Sequence, residues 1–223
     1  MKKHLLISIA TILALSSPGT SKAQLFLTAD IGGVPVVGGA TLENFDGANP
    51  SILTLSGSAF LRTGSDGVAS PPVFSGSTAA FFGETPANGP DNSQYVAVEP
   101  GGTATLTFST PQSYLGLLWG SIDPYSGMNT LTFYDKANNV IGTIDGGSVW
   151  ALFGGAPPPD GEYVNITSTT GFLKVVATAT PIFPESFEFD DVAYAQVVPE
   201  PASCVLFGGG LCILGLALRR KLA

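Results

Sequence analysis

Carboxylates are the only abundant chemically active side chains in the part of this chain that can fold as a domain. Residues 24–197 contain sixteen Asp and Glu residues but only three cations, Arg62, Lys136 and Lys174. The one histidine is His4, and both cysteines lie beyond residue 200. This composition excludes histidine-dependent catalytic triads and zinc sites built from histidine or cysteine in residues 24–197. The acidic balance also argues against nucleic acid as a partner, since binding to phosphates requires a positive surface.

An acidic pair near the end of the domain coincides with a break in the apolar pattern. Phe187 and Phe189 occupy odd positions, whereas Val192 and Tyr194 occupy even ones, so the apolar face changes parity across Asp190-Asp191. One extra residue in the strand would bring both halves onto a single core face. The sequence therefore predicts a β-bulge at this pair.

The same pair could contribute to a calcium site with an early acidic segment. Glu43 and Asp46 offer oxygen ligands of the type that Ca²⁺ prefers. The segment Phe189-Asp190-Asp191-Val192 is similar to a late segment that contributes to a structural calcium site in jelly rolls resembling carbohydrate-binding modules. This similarity implies a calcium site on Glu43, Asp46, Asp190 and Asp191. The alternative is that all four are solvated turn carboxylates.

Aromatic side chains in the middle of the chain suggest a second kind of site. Trp119, Tyr125 and Trp150 could form a flat platform on which a sugar ring stacks, with Tyr125 and Trp150 as the exposed members. The alternative is that these rings are buried in the core. An exposed platform would favour an extracellular polysaccharide as the ligand.

Acid–base hydrolysis is the remaining chemistry that carboxylates could support. Glu185 with Glu188, or Asp123 with Asp135, could serve as acid and base. Sixteen carboxylates bring some pairs close together by chance, so we assign no catalytic residue and expect no enzymatic activity.

Short alternating segments bounded by Gly, Pro, Asn, Asp and Ser indicate an all-β fold. Helical periodicity is nowhere sustained. We expect a single antiparallel β-sandwich or jelly roll over residues 24–197, with a hairpin loop at residues 135–139 and long loops at 62–72 and 84–92. The predicted strands cover residues 52–56, 94–99, 103–108, 114–119, 130–133, 140–144, 149–153, 163–167, 172–178 and one beginning at 187.

The N-terminal end has the three parts of a secretory signal peptide. A basic start precedes an apolar run over residues 5–15, and Ser21-Lys22-Ala23 is a small-residue cleavage site. We expect residues 1–23 to be removed on export.

The C-terminal end has three parts in a fixed order. Pro199, Glu200 and Pro201 precede an uncharged apolar segment over residues 202–218, which is long enough for a short transmembrane helix. A basic end follows, formed by Arg219, Arg220 and Lys221. Basic residues remain on the cytoplasmic side, so the domain is expected on the opposite side of the membrane.

This order resembles the PEP-CTERM sorting tail of Gram-negative bacterial surface proteins. The resemblance covers residues 198–223 and implies an exosortase as partner, a membrane transpeptidase-like cysteine protease that cuts near the Pro-Glu-Pro. It also implies transient anchoring in the inner membrane and then the cell surface or extracellular matrix. The alternative is a permanent membrane anchor with a stiff linker.

The middle of the chain, residues 94–194, looks like the core of an uncharacterised group of exosortase-dependent surface proteins. The similarity is carried by residues 114–125 and 129–135. It implies a β-rich surface domain but no assigned activity. We therefore expect a non-enzymatic surface or matrix protein; the alternative is a jelly-roll module that binds extracellular polysaccharide, with a structural calcium.

Overall fold

A computed structural model of the protein describes residues 23–47, 50–74, 77–86, 88–154, 161–180 and 186–196. This part of the chain forms twelve strands and two short helices. The strands are β1 Leu25–Ile31, β2 Thr41–Glu43, β3 Leu53–Ser56, β4 Ala59–Arg62, β5 Val73–Phe74, β6 Gly89–Pro90, β7 Tyr95–Val98, β8 Thr103–Trp119, β9 Thr130–Tyr134, β10 Val140–Ile144, β11 Glu162–Thr178 and β12 Phe187–Ala195; the helices are α1 Thr78–Phe82 and α2 Gly146–Leu152.

Ten of the described strands form one hydrogen-bonded sheet in which every pairing is antiparallel. The strand order is β10-β9-β11-β8-β12-β7-β4, and β1, β2 and β3 pair with β11, β12 and β8 respectively. Strands β5 and β6 form a separate pair. The predicted antiparallel all-β fold is confirmed.

The two central strands, β8 and β11, each have 17 residues and change partners along their length. The first half of β8 pairs with β3 and with the end of β11, whereas its second half pairs with the start of β11 and with β12. Register shifts in β11 on either side of Phe172 accompany this change. In β8 the core-facing positions accordingly move from Leu106 and Phe108 to Leu115 and Leu117.

The second half of β8 is buried on both faces, which explains its apolar sequence. Leu115, Leu117 and Trp119 face the main core, whereas Leu118 packs in a second cluster with Tyr163. The second cluster is completed by Phe74 and by Ala79 of α1, with Phe82 packed against it. The short helix α1 therefore covers the outer face of this half of the sheet.

Two predicted local features are confirmed. The β12 register shifts between Asp190 and Ala193, and Asp191 has a positive φ of 51°, so the bulge lies where the parity change placed it. Phe187, Phe189 and Val192 all reach the main core as a result. The 135–139 segment joins β9 to β10, and Asn138 within it has a φ of 64°.

The predicted strand at residues 149–153 is wrong, because these residues continue α2 and its C-terminal turn. Asp145 accepts a hydrogen bond from the Ser148 N–H at 2.8 Å, which satisfies a donor at the first turn and starts the helix. The sequence does not predict strands β1, β2, β4, β5 and β6. Strands β1 and β2 have exposed positions and pair with the longer strands β11 and β12, β4 pairs with β7, and β5 and β6 have two residues each.

The expected signal peptide and sorting tail lie outside the described residues, apart from Ala23. Within the described ranges, the helices are too short to cross a membrane. The membrane segment at residues 202–218 and the jelly-roll arrangement therefore stay predictions.

Candidate functional site

The bulge in β12 lies beside a group of carboxylates, which we call the acidic cluster: Asp46, Glu84, Asp91, Asp190 and Asp191. Asp46 follows β2, Glu84 follows α1 and Asp91 follows β6, so three separate loops meet the bulge. Asp91, Asp190 and Asp191 are each 0% exposed. Such burial is rare for charged groups, which are normally paired when removed from water.

One side of the acidic cluster is hydrogen-bonded through a serine. Asp91 Oδ1 accepts from the Ser93 N–H at 2.7 Å and from its hydroxyl at 2.5 Å. The same hydroxyl lies 3.4 Å from Asp190 Oδ2, and Asp190 Oδ1 accepts from the Asp191 N–H at 2.7 Å. Burial, followed by contact with the Asp91 carboxyl, raises the pKa of Asp190 well above its usual value.

The side chain of Asp191 has no such partners. Neither Oδ1 nor Oδ2 has a hydrogen bond within the described part of the chain, and Asp91 Oδ2 also lacks one. Burial raises the pKa of Asp191 to about 8, and the neighbouring carboxylates of Asp91, Glu84 and Asp46 act in the same direction. The hydrogen bonds of Asp191 are made by its backbone, which donates to Asp190 Oδ1 and whose carbonyl accepts from Tyr163 Oη at 3.1 Å. The carboxylate is thus buried without compensation.

The outer part of the acidic cluster is held by one amide. Asn44 Nδ2 donates to Asp46 Oδ2 at 3.0 Å and to Glu84 Oε1 at 2.7 Å. Asp46 Oδ1 accepts from the Gln94 N–H at 3.0 Å, which ties this loop to the start of β7. Burial raises the pKa of Glu84.

Of the four residues predicted as calcium ligands, the structure brings Asp46, Asp190 and Asp191 together but turns Glu43 elsewhere. Glu43 Oε1 accepts from the Phe45 N–H at 3.0 Å, and Glu43 acts electrostatically on Tyr194. Its place is taken by Glu84 and Asp91, which sequence reasoning missed. Both belong to a Gly- and Pro-rich segment predicted as an exposed loop, and nothing in that composition indicates burial.

The positions of these carboxylates do not match a metal-binding site. Among the described residues, no group of three or more His, Cys, Asp or Glu side chains is placed so that it could hold a metal ion. Nor does a protein cation serve the acidic cluster there: Arg62 pairs with Asp66 and Glu99, Lys174 lies 4.1 Å from the ring centroid of Tyr134, and Lys136 is exposed.

Two of the predicted sugar-stacking residues, Tyr125 and Trp150, lie on segments that contact each other. Tyr125 is 59% exposed in the loop after β8, whereas Trp150 in α2 is half-buried and packs against the main core. An added Cβ at Gly147 would lie 3.1 Å from the carbonyl carbon of Tyr125, so α2 approaches this loop closely. Trp119 is fully buried, with its ring centroid 4.5 Å from that of Phe187. A platform that includes Trp119 is therefore wrong, while one formed by Tyr125 and Trp150 stays a prediction.

A groove of 810 Å³ crosses the other end of β12. It is lined by the middle of β8, from Thr107 to Gln112, and by Tyr194 and Ala195 at the end of β12. Every lining side chain is uncharged, and most carry hydroxyl or amide groups. The lining residues are Val37, Gly38, Gly39, Thr41, Ser51, Ile52, Thr107, Phe108, Ser109, Thr110, Gln112, Tyr194, Ala195 and Gln196.

Of the two candidate acid–base pairs, Asp123 and Asp135 are not brought together. Asp123 accepts from Asn129 Nδ2 at 2.6 Å just before β9, whereas Asp135 caps the hairpin just after it. The length of β9, about 17 Å, separates them, which exceeds the spacing used by glycosidases. Glu185 lies outside the described residues. Glu188 is buried and accepts hydrogen bonds from the hydroxyls of Ser121 and Ser186.

Comparisons with known proteins identify the C-terminal tail. Residues 197–221 match the family model of the PEP-CTERM protein-sorting motif. Neither a curated protein nor a solved structure matches the chain. The similarity of residues 94–194 to exosortase-dependent surface proteins stays a prediction. The chain therefore carries a PEP-CTERM sorting motif at residues 197–221, as the order of its three C-terminal parts predicts, and this motif supports an exported protein sorted by an exosortase.

Proposed function

We propose that the β-rich part of this chain is a non-enzymatic component of the cell surface or extracellular matrix. The observation that carries the proposal is the sorting motif at residues 197–221. In this proposal the signal peptide directs export, the tail holds the protein briefly in the inner membrane, and the exosortase cleaves near Pro199 to Pro201. The domain, of jelly-roll form, then acts outside the cell.

The mass of the protein recovered from the cell surface or medium tests the sorting step. We expect a C-terminus near residue 200 in the native protein. A variant with alanine at residues 199–201 should retain the tail and remain in the inner membrane. A matched control with alanine at residues 157–159, the other proline cluster, should be processed normally. Recovery of the tail on the native surface protein would contradict cleavage.

The non-enzymatic role is supported by the chemistry of the described carboxylates. The Asp123 and Asp135 pair is too far apart for acid–base work, and Glu188 is enclosed by serine hydroxyls. Turnover of any glycan in a substrate screen, lost on one Asp→Asn or Glu→Gln change, would overturn this role.

Polysaccharide binding is a second candidate function, favoured by the uncharged groove. Neutral hydroxyl and amide side chains beside an aromatic ring suit a neutral glycan, which hydrogen-bonds and stacks without charge pairing. The acidic composition of residues 24–197 would repel anionic polysaccharides.

Affinity electrophoresis in gels containing neutral or anionic polysaccharide tests this candidate. Tyr194→Ala should weaken retardation by about tenfold if the groove binds, which corresponds to about 1.4 kcal/mol. Tyr125→Ala and Trp150→Ala should do so if the platform binds instead. Phe81→Ala, which removes an exposed aromatic ring on α1, is the matched control. Equal retardation of all variants would exclude both surfaces.

A further inference from the structure

The carboxylate of Asp191 requires a partner that the described residues do not supply. It is 0% exposed, and both of its oxygens lack a hydrogen bond. A buried carboxylate without a partner costs several kcal/mol, because desolvation is not repaid. Protonation alone would leave an O–H donor without an acceptor and a second oxygen unpaired.

Backbone geometry does not explain why an acid stands at this position. Asp191 has a φ of 51°, a conformation that Gly adopts freely and that Asn and Asp tolerate better than most residues. Gly or Asn would permit the bulge without burying a charge. The side chain of Asp191 therefore has a role beyond the conformation of β12.

Three other carboxylates lie close enough to Asp191 to act on its charge. The groups that act on it electrostatically are the carboxylates of Asp91, Glu84 and Asp46. Asp91 Oδ2 is also buried and unpaired. Asp191 with two unpaired oxygens, Asp91 with one and the two outer carboxylates form a hard, anionic ligand set. Residues 24–197 contain no His or Cys that could add a nitrogen or sulfur ligand.

We propose that the acidic cluster binds one Ca²⁺ ion, with Asp191 and Asp91 as buried ligands and Asp46 and Glu84 as outer ligands. Calcium accepts carboxylates in flexible geometries with six to eight ligands, whereas Mg²⁺ requires a near-ideal octahedron. Asp190 supports the site from behind, since its own oxygens bond to the Asp191 N–H and the Ser93 hydroxyl.

Binding requires a movement of the outer ligands. No three of the described carboxylates are placed to hold an ion as they stand. Asp46 is exposed and Glu84 half-buried, and Asn44 Nδ2 now bonds to both. An ion would replace this amide as the positive partner, drawing both side chains toward Asp191 and fixing the β2, α1 and β6 loops against β12.

Calorimetric titration and thermal unfolding of the purified protein, with CaCl₂ or with chelator, test the proposal. We expect a Kd of about 1 mM or tighter, as in extracellular calcium modules. The melting temperature should rise by several degrees in 10 mM CaCl₂ relative to chelator. Absence of a shift would overturn the proposal, and so would an equal shift in MgCl₂, since this would indicate screening of the acidic surface.

Three variants locate the ion. Asp191→Asn keeps a residue that tolerates a positive φ but removes the charge, and it should abolish the calcium-dependent shift. Asp46→Asn changes an exposed ligand, so it should fold even if Asp191→Asn does not, and it should weaken calcium binding at least tenfold. Asp135→Asn, in the exposed hairpin, is the matched control and should bind calcium normally. Equal calcium affinity in Asp46→Asn and Asp135→Asn would refute this site.

Discussion

Glu162 makes the stability of the fold depend on pH in a direction opposite to that of most carboxylates. It begins β11, is 0% exposed, and neither carboxylate oxygen has a hydrogen bond within the described part of the chain. Burial, followed by the nearby charge of Asp30, raises the pKa of Glu162 to about 7 from a value of 4.5. The folded state therefore binds a proton that the unfolded state releases.

The sign and size of the effect follow from this pKa difference. The group contributes its full stability below pH 4.5, and that contribution is lost as the pH rises through about 7. At about 1.36 kcal/mol per pKa unit, the loss by pH 8.5 has a ceiling of about 3 kcal/mol. We expect about 1–2 kcal/mol, because an ionised side chain at a strand end can turn toward water.

Glu162→Gln tests this reasoning by removing the titration while keeping the shape. Urea unfolding between pH 5 and 8.5 should show the native protein losing about 1–2 kcal/mol that the variant does not lose. Asp30→Asn should reduce the slope slightly. Asp135→Asn should leave it unchanged, because hydrogen bonds from Asn139 lower the pKa of this carboxylate. Parallel pH profiles for native protein and Glu162→Gln would refute the assignment.

Two further substitutions test how the sheet and helix are built. Gly116→Ala should destabilise the fold by about 1–3 kcal/mol in urea unfolding, because the added Cβ would lie 2.7 Å from Tyr163 Oη; an unchanged midpoint would contradict this packing. Asp145→Ala should cost about 1–2 kcal/mol by the same measurement, because it removes the N-cap of α2 and an acceptor for the Gly127 N–H at 2.7 Å, whereas Asp135→Asn should cost less.

The strands that sequence could predict are those whose own side chains alternate or form an apolar run. The parity change across Asp190-Asp191 even located the bulge, because a sheet with one buried core permits only one face. The sequence pattern could not show that the face of the sheet opposite the main core is also covered. Burial on both faces depends on Phe74 of β5 and on α1 packing over Leu118 and Tyr163, which are distant in sequence.

Helix α2 shows where local pattern failed. The segment 149–153 is apolar enough to be a strand. The local signal for a helix is the N-cap, in which Asp145 accepts a hydrogen bond from the Ser148 N–H. Two glycines at the start of α2 obscured that signal, since glycine disfavours helices. One of them, Gly146, is required by close approach: an added Cβ would lie 2.6 Å from the Asp123 carbonyl oxygen.

Amino-acid composition did not predict which carboxylates are buried. A strongly acidic domain is expected to have a solvated acidic surface, yet five of its carboxylates are at most 1% exposed: Asp91, Glu162, Glu188, Asp190 and Asp191. Hydrogen bonds from hydroxyl groups offset the desolvation cost of Glu188, and those from the backbone and a serine offset that of Asp190. No described residue donates a hydrogen bond to the Asp191 side chain. Asn could adopt the same positive φ without burying a charge. The Ca²⁺ ion that we propose at the acidic cluster would neutralise this buried carboxylate together with the oxygens around it.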